Sequence, residues 1–137
     1  MAGLSYDDVD FGDELPEFSP DINLPTICKF TDAAGMSFGR FNDHEEARKA
    51  GLPGAIVPGI MSQGIFAAMI HAWAPGSTIR KLDTIFRASL VADTVSCCRG
   101  VVTDRDDDER TLELDLTLSN ADGDTAVLGT AIVSLED

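Results

Sequence analysis

The chain has 137 residues, enough for one domain, and 44% of them are apolar, which suffices for a core. Twenty-four acidic side chains against 10 basic ones give a net charge of −14. A nucleic acid or an anionic membrane surface is therefore a poor partner, and the expected surface is solvated.

Residues 1–21 are acidic and proline-dotted, ending in "FGDELPEFSPD", and read as an arm draped over the domain. "INLPTICKFTDAAG" follows as a short helix: Pro25 suits a first turn, Ile27, Phe30 and Ala34 share a face, and Gly35 is a stop. "NDHEEARKAG" is a second short helix, capped by Asn42 or Asp43, with acids leading, Arg48 and Lys49 trailing, and Gly51 at its end. "IMSQGIFAAMIHAW" is apolar nearly all round, so it is expected to be a buried helix rather than an amphipathic surface one. It is too short to span a bilayer. "APGS" closes it.

The remainder reads as β-structure at 78–88, 94–104, 111–119 and 125–135. Leu112, Leu114, Leu116 and Leu118 alternate with Glu113, Asp115, Thr117 and Ser119, the period of a half-buried strand. "DRDDDER" and "NADGD" are polar turns between antiparallel neighbours. An α+β architecture follows, an antiparallel sheet wrapped around one apolar helix, because neither element buries its apolar face alone.

Cys28, Cys97 and Cys98 are odd in number and spaced for no metal site, and no secretory leader pattern precedes them. Adjacent residues on a strand point to opposite faces, so Cys97 and Cys98 are not expected to bridge. The reading is a reducing cytoplasm and small buried thiols.

Four pieces in order carry a family resemblance. "GDELP", "AGLPGAIVPGIMSQG", "FRASLVADTVSCCRGVVTD" and "NADGDTAVLGTAIVSL" resemble the opening strand, the approach to the central helix, the strand pair after it and the closing hairpin of MaoC-like hydratases. The resemblance covers almost the whole chain and implies a single hot-dog domain over 1–137. In that division 1–21 hold the arm and first strand, 22–58 a short-helix overhang, 59–74 the central helix, and 77–136 four antiparallel strands.

The family's enoyl-thioester hydratases carry D-x-N-P-x-H-x-D, whose Asp and His activate the water that adds across the double bond. Laid on this chain, "GMSFGRFND" occupies that signature. Met36 falls at the Asp, Phe38 at the Asn, Gly39 at the Pro and Phe41 at the His, while Asp43 keeps the last acid. Met and Phe accept no proton, so the site as written cannot run the family's reaction. The resemblance makes Met36, Phe38, Phe41 and Pro58 pocket residues.

It also makes the N–H groups of Gly59 and Ile60, at the start of the central helix, the oxyanion or substrate contact. A plainer reading is that Gly59 only permits a tight turn. The fallback catalytic pair is Asp43 with His44, set against a His44 in the first turn of a solvated helix; adjacent helical side chains do not face one another. His71 lies about three turns from the helix start, too far for the chemistry. For coenzyme A phosphates the cations at hand are Arg40, Arg48, Lys49, Arg80, Lys81 and Arg87, with Arg48 and Lys49 leading to the pocket. No cofactor is implied beyond the coenzyme A of the substrate.

Some members of the family are mixed assemblies in which one subunit lost the dyad and shapes the pocket for a bulky acyl chain. The chain resembles such a subunit. The expected function is a non-catalytic partner in an enoyl-thioester hydratase. The alternatives are a homodimeric acyl-thioester or hydrophobic-ligand binder without turnover, and an enzyme of altered chemistry using Asp43 and His44.

Overall fold

The computed structural model describes residues 4–135; the first three residues of the arm and residue 136 of the last expected strand lie outside them. A 3₁₀ turn at Tyr6–Asp8 leads to strand β1, Glu14–Phe18. Helices α1 (Leu24–Ala34), α2 (Gly39–Asn42) and α3 (His44–Lys49) form the overhang before the central helix α4, Gly59–Trp73. Strands β2 (Thr78–Phe86), β3 (Cys97–Asp106), β4 (Thr111–Ser119) and β5 (Thr125–Ser134) complete the domain. All pairings are antiparallel and the sheet order is β1-β3-β4-β5-β2, so β1 and β2 are its edges.

Local chemistry sets the boundaries. The Asn23 side chain accepts from Thr26 N–H at 2.9 Å to start α1, and Gly35 ends it at φ 70°. Asp43 starts α3 by accepting from the N–H groups of Glu45 and Glu46 at 2.8 and 3.1 Å. β3 begins three residues later than the sequence suggests. Asp93 at φ 64° turns the chain first, and Thr94 closes that turn on the Val91 carbonyl at 2.6 Å. The arm is fastened through Tyr6, which is buried, has the guanidinium groups of Arg105 and Arg110 4.5 and 4.8 Å from its ring centroid, and donates to Asp107 at 2.6 Å.

Leu112, Leu114, Leu116 and Leu118 are fully buried, as their alternation implies, and face α4 together with Val102, Ala131 and Val133. Phe66 of α4 rests on Gly129 of β5, where an added Cβ would come within 2.8 Å of the ring. The thiols differ from one another: Cys98 is buried against Met69, whereas Cys28 and Cys97 are only partly buried.

The central helix departs from the all-round burial its composition suggests. Met61, Ser62, Phe66, Met69 and Ile70 are buried, but Ile60, Gly64, Ala68, His71 and Ala72 are exposed. The reason is geometric. One sheet supplies one layer, so it covers one face of a helix, and an apolar opposite face needs a second layer.

Candidate functional site

The segment 54–58 delivers α4 and is tied from three sides. Ile56 N–H donates to the Arg40 carbonyl of α2 at 2.9 Å, and Val57 N–H to the Leu90 carbonyl at 2.8 Å. Ala92 N–H donates to the Ala55 carbonyl at 2.8 Å, and Ala55 N–H to His44 Nδ1 at 3.0 Å. Pro58 is the N-cap, with no side-chain cap, and its carbonyl accepts from Met61 and Ser62 N–H. The N–H groups of Gly59 and Ile60 have no acceptor among the described residues, as the first donors of a helix lack one within it. Free donors and the helix dipole make this end favourable for a partly negative oxygen.

Beside that end lies a cavity of about 270 Å³. Ile56, Val57, Leu90 and Val127 give it apolar walls, and Gly59, Ser62 and Phe86 line it at the helix start. The Phe86 ring lies on Gly59, where a Cβ would come 2.9 Å from its tip. Gly59 is not among the glycines at positive φ, so its role is this close approach and not a tight turn. Phe86 is 53% exposed and Ile60 is equally open, so an apolar rim surrounds the site.

The other expected pocket residues do not line this cavity, although Pro58 lies between two residues that do, Val57 and Gly59. Met36, Phe38, Phe41 and Pro58 are not among its lining residues. Phe38 and Phe41 form a tilted pair with ring centroids 6.3 Å apart, and the Arg40 guanidinium lies 5.9 and 5.1 Å from them. Phe41 is buried there and Met36 is half-buried.

Asp43 and His44 do not form a pair. Asp43 is occupied as the cap of α3. His44 Nδ1 accepts from Ala55, so Nε2 carries the proton and donates to Asp93 Oδ2 at 2.8 Å. Both ring nitrogens are thus engaged in holding the approach to α4, leaving no free lone pair for a base. Asp93 is a fastening point: its other oxygen accepts from Leu24 N–H at 2.9 Å, and its own N–H donates to the Ile22 carbonyl. The His44 and Leu24 hydrogen bonds hold its carboxyl below the ordinary carboxylate range. His71 is exposed near the far end of α4.

Arg48 and Lys49 are both drawn back onto their own segment. Arg48 Nε donates to the Pro53 carbonyl at 3.3 Å, and Lys49 pairs with Glu46 at 3.1 Å. Arg87 stands between two lining residues, Phe86 and Ala88, and its side chain has no partner among the described residues. Among those residues no group of three or more His, Cys, Asp or Glu side chains is arranged to hold a metal ion, and no helix is long and apolar enough to cross a membrane.

Sequence reasoning missed Ser62, Phe86 and Asp93. Ser62 had a faint signal, a hydroxyl in the first turn of an otherwise apolar helix. Phe86 and Asp93 had none, since their partners are distant in the chain.

No protein-family model matches the sequence, and no curated protein matches it. Solved structures match it in fold. The R-hydratase PhaJ1 from Pseudomonas aeruginosa superposes with a TM-score of 0.91 over 98% of this chain and 87% of that one, at 16% identity. A chain of the ChsH1–ChsH2 complex from Mycobacterium tuberculosis gives 0.85 over 93% and 98%, at 19% identity. A MaoC-like dehydratase gives 0.89 at 26% identity, over 98% of this chain and 43% of that one. With its five-stranded antiparallel sheet on one central helix, the chain has the MaoC-like hot-dog fold.

Proposed function

We propose that the chain is a MaoC-like subunit of an enoyl-thioester hydratase or dehydratase. It binds the acyl thioester without carrying out water addition itself and shapes the pocket for a partner subunit that carries the Asp/His dyad. One observation carries this reading: the helix start keeps unclaimed N–H donors beside an apolar cavity. Beside it stands the sequence resemblance, which sets Met36 and Phe41 at the proton-transfer positions. Binding of a carbonyl survives such a loss, and general acid–base catalysis does not.

Three features support a partner. The cavity of about 270 Å³ is open to solvent on one side and sits at the low end of small-molecule sites, leaving room for a partner to close it. One face of α4 is exposed and apolar along Ile60, Gly64, Ala68 and Ala72. β2 is an open edge ending in the exposed Ile85 and Phe86, a surface suited to joining another sheet. One neighbour in fold comes from a complex of differently named components, ChsH1 and ChsH2.

The substrate brings its coenzyme A, and no other cofactor takes part. Arg87, next in the chain to the lining residues Phe86 and Ala88 and without a side-chain partner among the described residues, is more available for a phosphate than Arg48 or Lys49, which are engaged. The reading that uses Asp43 and His44 as catalysts lacks support, because both side chains are already committed.

Sedimentation velocity with and without crotonyl-CoA tests the assembly. The chain should sediment as a dimer or larger, and the thioester should shift the equilibrium further toward association by mass action. A monomer of 14.6 kDa unaffected by the thioester would contradict the proposal.

A further inference from the structure

Ser62 is the fourth residue of α4, three after Gly59, so the two share a helix face. Both line the cavity. The residue is 98% buried, with a relative exposure of 2%. Its hydroxyl makes no hydrogen bond among the described residues. A serine inside a helix commonly turns back to the carbonyl four residues earlier. Here that carbonyl belongs to Pro58 and already accepts from Met61 and Ser62 N–H.

Two other hydroxyls, of Ser77 and Ser96, also lack partners, but they are sealed from any opening. Ser62 is not sealed, and the cavity it lines is the space its hydroxyl can address. Facing the cavity with no protein partner among the described residues, the hydroxyl is free to donate to an acceptor on a ligand bound there. The other side-chain donor in the wall is Ser89, which is exposed, so Ser62 is the one buried side-chain donor an acceptor in this cavity meets.

We propose that Ser62 is a ligand-binding residue whose hydroxyl donates a hydrogen bond to the carbonyl oxygen of a bound thioester, together with the free N–H groups at the start of α4. A carbonyl oxygen has two lone pairs and takes both donors. The inference rests on the thioester-binding reading above and adds to it a side chain that selects for the carbonyl group. It also explains why the one polar side chain deep in this wall is a small donor rather than a charge: a neutral carbonyl needs no counter-ion.

The test compares hexanoyl-CoA with its thioether S-hexyl-CoA, which lacks the carbonyl oxygen, on the full-length chain in the oligomeric state in which it purifies. Wild type should bind the thioester more tightly than the thioether. Ser62→Ala should weaken thioester binding about three- to tenfold, the range of one neutral hydrogen bond, and leave the thioether unchanged. With a carbon-13 carbonyl label, the C=O stretch should move to lower frequency on binding wild type and move less on binding the variant. Melting of the unliganded variant should not fall, since it loses no hydrogen bond.

If Ser62→Ala keeps the full preference for thioester, or melts lower without ligand, the Ser62 proposal is wrong while thioester binding stands. If wild type binds neither compound, or both equally, the thioester-binding reading fails and this inference with it.

Discussion

Replacing His44 with Ala separates a fastening role from a catalytic one. His44 Nδ1 is the acceptor for Ala55 N–H at 3.0 Å, and Ala55 is fully buried. Removing the ring leaves that N–H without a partner, which costs about 1–3 kcal/mol. The bond from Nε2 to Asp93 is partly exposed and adds little to this. For a chain of this length about 2 kcal/mol lowers the melting temperature by roughly 6–10 °C. Differential scanning calorimetry of the purified variant reads the loss directly. His44→Asn is the control: its amide oxygen can take the Nδ1 position, accept from Ala55 and restore much of the melting temperature. The reasoning is refuted if His44→Ala melts like wild type, or if it removes a hydratase activity of the chain while leaving melting unchanged.

Two further outcomes follow from the same geometry. The Asp93 carboxyl is held below its ordinary value, first by His44 and then by Leu24 N–H, so its native pKa is depressed. Its stabilisation is complete above the unfolded value of about 4 and is lost as pH falls through the native value, so Asp93→Asn should flatten the acid limb of a melting-versus-pH curve below about pH 4. An unchanged acid limb would remove Asp93 from that role. In Gly129→Ala, the new Cβ meets the Phe66 ring at 2.8 Å and Leu116 Cβ at 3.3 Å, both in a fully buried layer. Overpacking there should cost about 1–3 kcal/mol in a denaturant titration, and a neutral result would contradict the seating of α4 on β5.

Much of this architecture is legible in the residues. Leu112 to Leu118 alternate because one face of β4 is buried, and that period survives any tertiary context. Asn23, Gly35 and Asp43 act through hydrogen bonds and backbone angles within a few residues, so a linear reading finds them. What escaped depends on partners far along the chain. The His44–Asp93 bond spans 49 residues, and nothing near either residue announces the other. The Phe86 ring covers Gly59 only because β2 runs past the start of α4. The exposed face of α4 was missed for a different reason: composition reports how apolar a helix is, but not how many layers its own chain provides to cover it.

The central claim is that this chain holds an acyl thioester without performing water addition. The direct measurement is the loss of enoyl absorbance when the purified chain is mixed with crotonyl-CoA. On the proposed reading Met36 and Phe41 stand at the dyad positions, and both His44 nitrogens are engaged, so the account expects the acid–base contribution of about 10²–10⁴-fold per group to be missing. The predicted trace does not differ from that of crotonyl-CoA without protein. Loss of absorbance at a rate proportional to the chain's concentration, in preparations free of any second hot-dog chain, would contradict the account.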